Sequence, residues 1–280
     1  VSAKLGFESR LKNDDALNLK NFEYLEVPNQ AKFHPLKFLY ALAEIAEKKG
    51  VKIFENTEAT KISSKDVLTV STKDSKIKTS DVIVATYKPF NNPREVFAKK
   101  GMYKSYMLEL EIPKNLLAEA LYSDQSNPYY YFRVDKGHAF DRMLLGGADH
   151  REELPVSEAK SYKALKEHLH NILGDVQYKI IKKWPGPILE SSDGLGLIGE
   201  YKPHQFLATG FSGNGMTYSA ISAIMFKDYV LGKKNDWTEV FDPKRPFKLS
   251  SILKKGKDYI EEFFGGAVRN TFKFRLKEKN

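Results

Sequence analysis

The chain has 280 residues, of which 41% are apolar, 29% charged and 12% aromatic, enough apolar material for about two ordinary domains and far from a disordered composition. It contains no Cys, which excludes a disulfide scaffold, thiolate-held zinc or iron–sulfur centres and a thiol nucleophile. The formal net charge is +9, but the basic residues are spread thinly and read as surface solvation rather than a nucleic-acid footprint.

The longest apolar candidate for a membrane span, residues 220–231, is interrupted by Lys227 and Asp228, and the first residues carry no secretory pattern. The expectation is therefore a cytoplasmic protein with no membrane span. The chain opens on Val rather than Met, so the sequence is expected to be a processed product or a fragment of a longer chain.

Residues 1–33 are polar and weakly patterned. His34-Pro35 then predicts a helix start, because proline in the first turn removes an N–H that would lack a partner anyway. Leu36, Leu39, Ala43 and Ala46 recur at helical spacing, and Gly50 ends the pattern. Five strand-like pieces follow: residues 51–54 (VKIF), 59–63, 67–70, 76–79 and 81–86, with polar turns between the middle three. Beyond Pro93, residues 103–113, 127–134, 141–149 and 178–184 read as longer strands around a helix at 157–173, a pattern that suggests a separate antiparallel layer. A basic tail with an amphipathic stretch at 252–264 closes the chain.

Two glycine loops invite comparison. Gly194, Gly196 and Gly199 satisfy G-x-G-x-x-G, but Pro203 forbids the helix that a dinucleotide fingerprint needs after it, so a turn between extended pieces is expected. The second loop has the right setting. Residues 205–209 (QFLAT) form a strand, 210–215 (GFSGNG) a turn, and 216–231 a helix whose first amides suit anionic or electron-rich groups. By pattern alone this is equally a tight βα turn of an α/β protein. His168 and His170 fall on different faces of their helix and are expected at the surface, and the histidines show no metal-binding spacing.

Several segments together resemble the D-amino-acid oxidase (DAO) superfamily of FAD-dependent oxidoreductases, with the best fit to a bacterial subgroup often fused to a Rieske domain. They are ATGFSGNGMT (208–217) with the helix after it, residues 34–62, DVIVATYKPF (81–90), NPYYYFRV (127–134), LLGGADH (144–150) and WPGPILESSDGLGLIGE (184–200). The resemblance implies a mixed α/β (α+β) fold: a partial Rossmann-like FAD-binding domain with a β-meander, plus an antiparallel substrate domain. The corresponding division is 1–92 with 185–246 for the flavin, 93–184 for substrate and 247–280 as a basic extension. Residues 1–33 hold neither the G-x-G-x-x-G nor the acidic ribose residue with which this family begins, and Gly196 stands where the subgroup usually has proline. The expectation is a fragment without the ADP-binding motif, in which bound FAD could be absent.

The resemblance further implies cofactor contacts at Gly210, Phe211, Ser212, Gly213, Asn214, Gly215, Met216 and Thr217 along the ring and ribityl chain. It adds Thr60, Lys61 and Ile62 near adenine, and Ala85 and Thr86 in the same cleft. Tyr131 as an aromatic wall and Arg133 as a carboxylate clamp would meet a small amine or amino-acid substrate, with hydride transfer to the flavin. Strand alternation puts Tyr129, Tyr131 and Arg133 on one face. The bland alternative is a sheet face with Arg133 paired at its rim. A non-catalytic remnant acting as an interaction module is the competing function. Nucleic-acid binding has only the charge and the tail to support it.

Overall fold

The computed structural model describes residues 6, 8–13, 23–64, 67–90, 100–126, 128–152 and 154–246. The expected amphipathic stretch at 252–264 lies outside the described residues. Two compact units are interleaved in sequence: Val1–Asn56, Ser105–Asp149 and Val156–Gly186 form the first, and Thr57–Lys104, His150–Pro155 and Pro187–Asn280 the second. Residues 1–56 thus group with the antiparallel strands, where the sequence groups them with the glycine loop.

In the first unit, β1 (Arg10–Lys12) and β2 (Tyr24–Glu26) pair antiparallel. Helix α1 (Pro35–Lys48) starts as expected: the His34 imidazole accepts from the Lys37 amide at 3.4 Å and proline occupies the first turn. Its apolar stripe is not a core, for none of its residues is buried. The segment 51–54 that follows is not a strand, and Val51, Ile53 and Phe54 are exposed. An apolar run becomes a strand only when a neighbour takes its backbone groups, and no strand pairs with this segment among the described residues.

The antiparallel sheet has strand order β11-β7-β10-β9-β8, built from β7 (Lys100–Ile112), β8 (Leu121–Ser123), β9 (Tyr131–Asp135), β10 (Asp141–Arg151) and β11 (Lys179–Ser191). Alternation sends Tyr106, Leu108, Leu110, Ile112, Phe132, Val134, Met143 and Leu145 to one face. There they pack on Tyr162, Leu165, Leu169 and Leu173 of α2 (Glu158–Leu173). Ser157 caps this helix by accepting from the Lys160 amide, and Gly174 at φ 61° ends it. His168 is not a plain surface residue: its ring stacks on Tyr130 at 4.1 Å, because the residue just before β9 lies beneath that helix face.

The second unit is a three-layer stack. Its centre is a small mixed sheet ordered β12-β13-β6, from β6 (Val82–Val84), β12 (Leu197–Lys202) and β13 (Gln205–Thr209), with β13 parallel to β6 and antiparallel to β12. Every residue of the central strand β13 is buried, and its alternation splits two cores. Leu207, with Val84, Leu197 and Tyr201, packs on Ile62, Leu68 and Val70 of the meander β3 (Lys61–Ser63), β4 (Thr69–Ser71) and β5 (Lys76–Lys78). Phe206 and Ala208, with Ile198, pack on Met225 and Phe226 of α3 (Gly215–Val230) and Phe241 of α4 (Thr238–Phe241). The literal G-x-G-x-x-G becomes, as expected, the link from β11 into β12, with Gly194 at φ 78° in the turn.

Candidate functional site

The loop between β13 and α3 is fixed from both ends. Buried Thr209 donates its hydroxyl to the Tyr87 carbonyl at 2.6 Å, and the Tyr87 phenol in turn donates to the Pro187 carbonyl at 2.7 Å. Burial raises the Tyr87 phenol above its ordinary value, so it stays a donor at neutral pH. Gly210 turns the chain at φ 73°, the left-handed region that costs glycine nothing. The Ser212 amide then donates to the Leu189 carbonyl at 3.0 Å, and the Asn214 amide to the Phe211 carbonyl at 2.9 Å.

Two features of this loop are left without a partner in the described protein. Ser212 sits in the left-handed region at φ 51°, an uncommon place for a residue with a Cβ, and its buried hydroxyl has no hydrogen-bond partner among the described residues. Asn214, at the N-cap of α3, makes no side-chain capping bond. The amides of the first turn, Gly215 to Thr217, therefore have no partner from the helix itself or from its cap residue.

The loop opens into a cavity of about 780 Å³. α3 packs on β12 and β13, and the cavity occupies the part of the same face that lies over β6. Ile83, Ala85 and Tyr87 line it from the strand side, Thr209, Gly210, Phe211 and Ser212 from the loop, and Gly215, Ser219, Ser222 and Ala223 from the helix. Small side chains on the first turns of α3 leave room for it, and Phe226, Lys227 and Val230 of the later turns also line it. Ser212 was expected at this cavity, whereas Ser219 and Ser222 were not: hydroxyls at helical spacing carry no hydrophobic signal, and Tyr87, in the bend after β6, has none either.

Of the residues singled out by sequence, the structure gathers Ala85, Gly210, Phe211, Ser212 and Gly215 around this cavity. Gly213, Asn214, Met216 and Thr217 belong to the same loop and first turn. Thr86 follows Ala85 but is not part of the lining, and its hydroxyl donates to the Lys88 carbonyl. Thr60, Lys61 and Ile62 lie at the start of β3: Thr60 donates its amide to the Ser71 carbonyl, and Ile62 is buried in the meander core. Tyr131 and Arg133 belong to the other unit. There Arg133 is bidentate on Asp135, at 2.9 and 2.7 Å, and donates further to the Phe33 carbonyl. Lys32 completes this network with bonds to Asp135 and Glu119. Arg133 is thus paired at the rim of the sheet.

A glycine loop leading from a buried strand into a helix with open first-turn amides, in a mixed α/β chain with a second antiparallel sheet, is an arrangement that suits an anionic or electron-rich cofactor. The chain matches the model of the DAO family, FAD dependent oxidoreductase, over residues 4–228, and it belongs to that family. It is 31% identical over 264 residues to the putative Rieske 2Fe-2S iron-sulfur protein YhfW of Bacillus subtilis (strain 168), covering 91% of this chain and 50% of that protein. It is 24% identical over 218 residues to the probable oxidoreductase OrdL of Haemophilus influenzae, covering 73% and 48%. The chain spans about half the length of these curated relatives. Among solved structures, glycine oxidase from Geobacillus kaustophilus superposes with a TM-score of 0.74 at 19% identity, covering 88% of this chain and 69% of that one. L-proline dehydrogenase from P. horikoshii superposes at 0.71 and 19%, covering 87% and 70%. These likenesses establish a DAO-like mixed α/β fold.

The residues present fit the cofactor of this family. The orphaned Ser212 hydroxyl, the open amides of the first α3 turn and the apolar, small-residue cavity beside them suit a flat ring system with polar edges. A Cβ added at Gly215 would meet nothing within 4 Å, so the approach to those amides is open. Among the described residues, no group of three or more potential metal ligands occurs and no helix is long and apolar enough to cross a membrane.

Proposed function

We propose that this chain carries the flavin-ring half of a FAD-dependent oxidoreductase that oxidises a small amine or amino acid. The observation that carries the reading is the orphaned hydroxyl of Ser212 close in sequence to the uncapped first turn of α3, with Ser212 and Gly215 both lining the cavity. When bound, FAD would supply the acceptor for a hydride equivalent. The chain's own contribution is binding and polarisation. The first-turn amides and the positive end of α3 stabilise negative charge on whatever lies against them. The Ser212 hydroxyl gains the partner it lacks. Ala85 and the small side chains of α3 allow close approach and exclude water. The antiparallel unit is the proposed substrate side, with Tyr131 as its aromatic wall. Arg133, already held by Asp135, is left out of the substrate contacts.

The test is titration of the purified chain with FAD, FMN and riboflavin, followed by the flavin absorption bands and fluorescence. Saturable perturbation by all three supports a site for the ring, and none by any of them removes the reading. The amine and amino-acid panel belongs to the longest protein encoded by the gene, assayed with an artificial electron acceptor as well as oxygen. The fragment status of the sequence is part of this proposal, supported by its half-length coverage of relatives and by the lack of an ADP-binding fingerprint.

A second reading, a non-catalytic interaction module, has one observation in its favour. α1 exposes Leu36 and Leu39 of its apolar stripe, together with Leu42 and Ile45 further round the helix, apolar surface that a soluble helix rarely leaves open. A colourless chain that nonetheless binds a protein through this stripe would replace the first reading.

A further inference from the structure

Of the non-glycine residues described at positive φ, Asn29, Asn56, Asn115 and His204 are of types that tolerate the left-handed region. Tyr87, Ala148 and Ser212 are not, and two of these, Tyr87 at φ 57° and Ser212 at φ 51°, line the same cavity. A bulky aromatic residue keeps that backbone only where its surroundings impose it, and such positions gather at ligand clamps. Tyr87 lies in the bend after β6, and both its backbone and its side chain are engaged there.

Its backbone carbonyl accepts the Thr209 hydroxyl at 2.6 Å, which ties the bend to the end of β13, one residue before Gly210. Thr209 is 1% exposed, so this bond is shielded from water. The Tyr87 phenol reaches the other wall, donating to the Pro187 carbonyl of β11 at 2.7 Å. Two residues on, the Leu189 carbonyl accepts the Ser212 amide at 3.0 Å, and Phe211 forms an antiparallel bridge with Glu190. Carbonyls two apart on a strand face the same neighbour, so the phenol of Tyr87 and the amide of Ser212 take successive places along one edge of β11. The Leu189 amide also bonds the phenol, offsetting part of the rise that burial gives it. One phenolic oxygen thus donates to residue 187 and accepts from residue 189, as a residue of a neighbouring parallel strand would.

We infer that Tyr87 is a positioning residue of the flavin-ring site: through Thr209 and β11 it holds the loop 210–215 in the shape that leaves the Ser212 hydroxyl and the first turn of α3 unpartnered beside the cavity. It acts through the loop and not on the reacting atoms. The inference rests on the flavin reading above and adds to it the residue that preorganises the site.

The test compares the full wild-type chain with three variants. Tyr87→Phe keeps the ring and removes the phenolic bonds, Thr209→Val removes the other anchor, and Thr209→Ser retains it. In the flavin-free proteins, amide hydrogen exchange at Ser212 and Asn214 should speed up about tenfold in Tyr87→Phe and Thr209→Val, the loss of one good hydrogen bond. Amides of the α2 core should keep their wild-type rates, and Thr209→Ser should behave as wild type. Riboflavin is the probe for the ring. Its affinity should fall about tenfold in the same two variants, and its absorption bands at saturation should move from their wild-type positions. Exchange that rises throughout the second unit, exchange at Ser212 and Asn214 that stays at wild-type rates, or bound bands that do not move each mark a merely structural tyrosine and overturn the inference. If circular dichroism shows Tyr87→Phe unfolded, the two Thr209 variants decide by the same readouts. A wild type that perturbs no riboflavin spectrum sinks the flavin reading, and the exchange rates then decide by themselves whether Tyr87 holds the loop.

Discussion

Arg245 grips the carboxylate of Asp193 through two parallel hydrogen bonds, Nε to Oδ2 and Nη2 to Oδ1, each of 2.8 Å. The same guanidinium donates to the carbonyls of Leu195 and Gly196 at 2.9 and 3.0 Å. Gly196 lies against Phe211 and Tyr218, whose rings stack at 5.3 Å, so close that an added Cβ would come 3.0 Å from the Tyr218 ring. The clasp thus holds the turn on which the glycine loop rests. The glycines that imitate a dinucleotide fingerprint serve packing, and the neighbouring loop benefits.

This clasp sets an acid limit on stability. Burial opposes ionisation of Asp193, but bonds from Arg245, the Leu195 amide and Ser191 outweigh it and hold the carboxyl at about 2. A folded-state value depressed below the unfolded one adds stability that is fully present above the unfolded value of about 4 and is lost as pH falls towards 2. The shift corresponds to an effect on the order of 2 kcal/mol. Arg245→Gln should therefore lower the melting temperature at pH 7, and its difference from wild type should shrink below pH ~4. Melting curves across pH 2–7 for the two proteins decide it; a pH-independent difference would mean that the guanidinium acts through packing alone.

Gly210 and Gly215 bracket the same loop and should respond in opposite ways. At φ 73° alanine is strained whatever space it finds, and space exists, since the nearest atom to an added Cβ is 3.5 Å away. Gly210→Ala should cost about 1 kcal/mol. Gly215 opens α3 with nothing near its missing Cβ, so Gly215→Ala should leave stability unchanged or raise it by up to about 1 kcal/mol through helix propensity. Under the flavin proposal both should weaken flavin binding, so denaturant unfolding of the flavin-free chain separates the structural role from the ligand role.

Ser212→Ala offers a contrast of sign. Removing a buried hydroxyl that lacks a partner should leave the flavin-free chain as stable or more stable, by up to about 1 kcal/mol. If that hydroxyl is the ligand's partner, the same change should weaken flavin affinity by about tenfold, the value of one good hydrogen bond. Paired thermal melts and flavin titrations check both; lower stability with unchanged flavin affinity would place the hydroxyl in the fold rather than the site.

How far the sequence spoke depended on what each signal reports. β13 and α3 stand within a residue of their expected positions, because a buried strand, a glycine turn and a helix leave distinct marks at neighbouring positions. The meander 59–79 was legible for the same reason. Residues 51–54 were not, since an apolar run reports burial demand and not the presence of a partner strand. β1 and β2, three residues each and partly charged, carry no period to read. At the site, the glycines announced the loop, while Ser219, Ser222 and Ala223 were silent because small helical residues report space only once the opposing strand is known.

Helices α1 and α2 carry similar apolar spacing, yet one is a core helix and the other is not. Leu165 on α2 is 0% exposed, whereas Leu39 on α1 is 47% exposed. Leu165→Ala should cost about 2–5 kcal/mol, the penalty for emptying a packed site, and Leu39→Ala less than about 0.5 kcal/mol, the usual range for surface changes. Urea unfolding of the two variants measures both. A cost above about 2 kcal/mol for Leu39→Ala would show that its stripe is covered in solution. In that event, a cost that falls on dilution would assign the cover to another copy of the chain, since only an intermolecular contact depends on concentration.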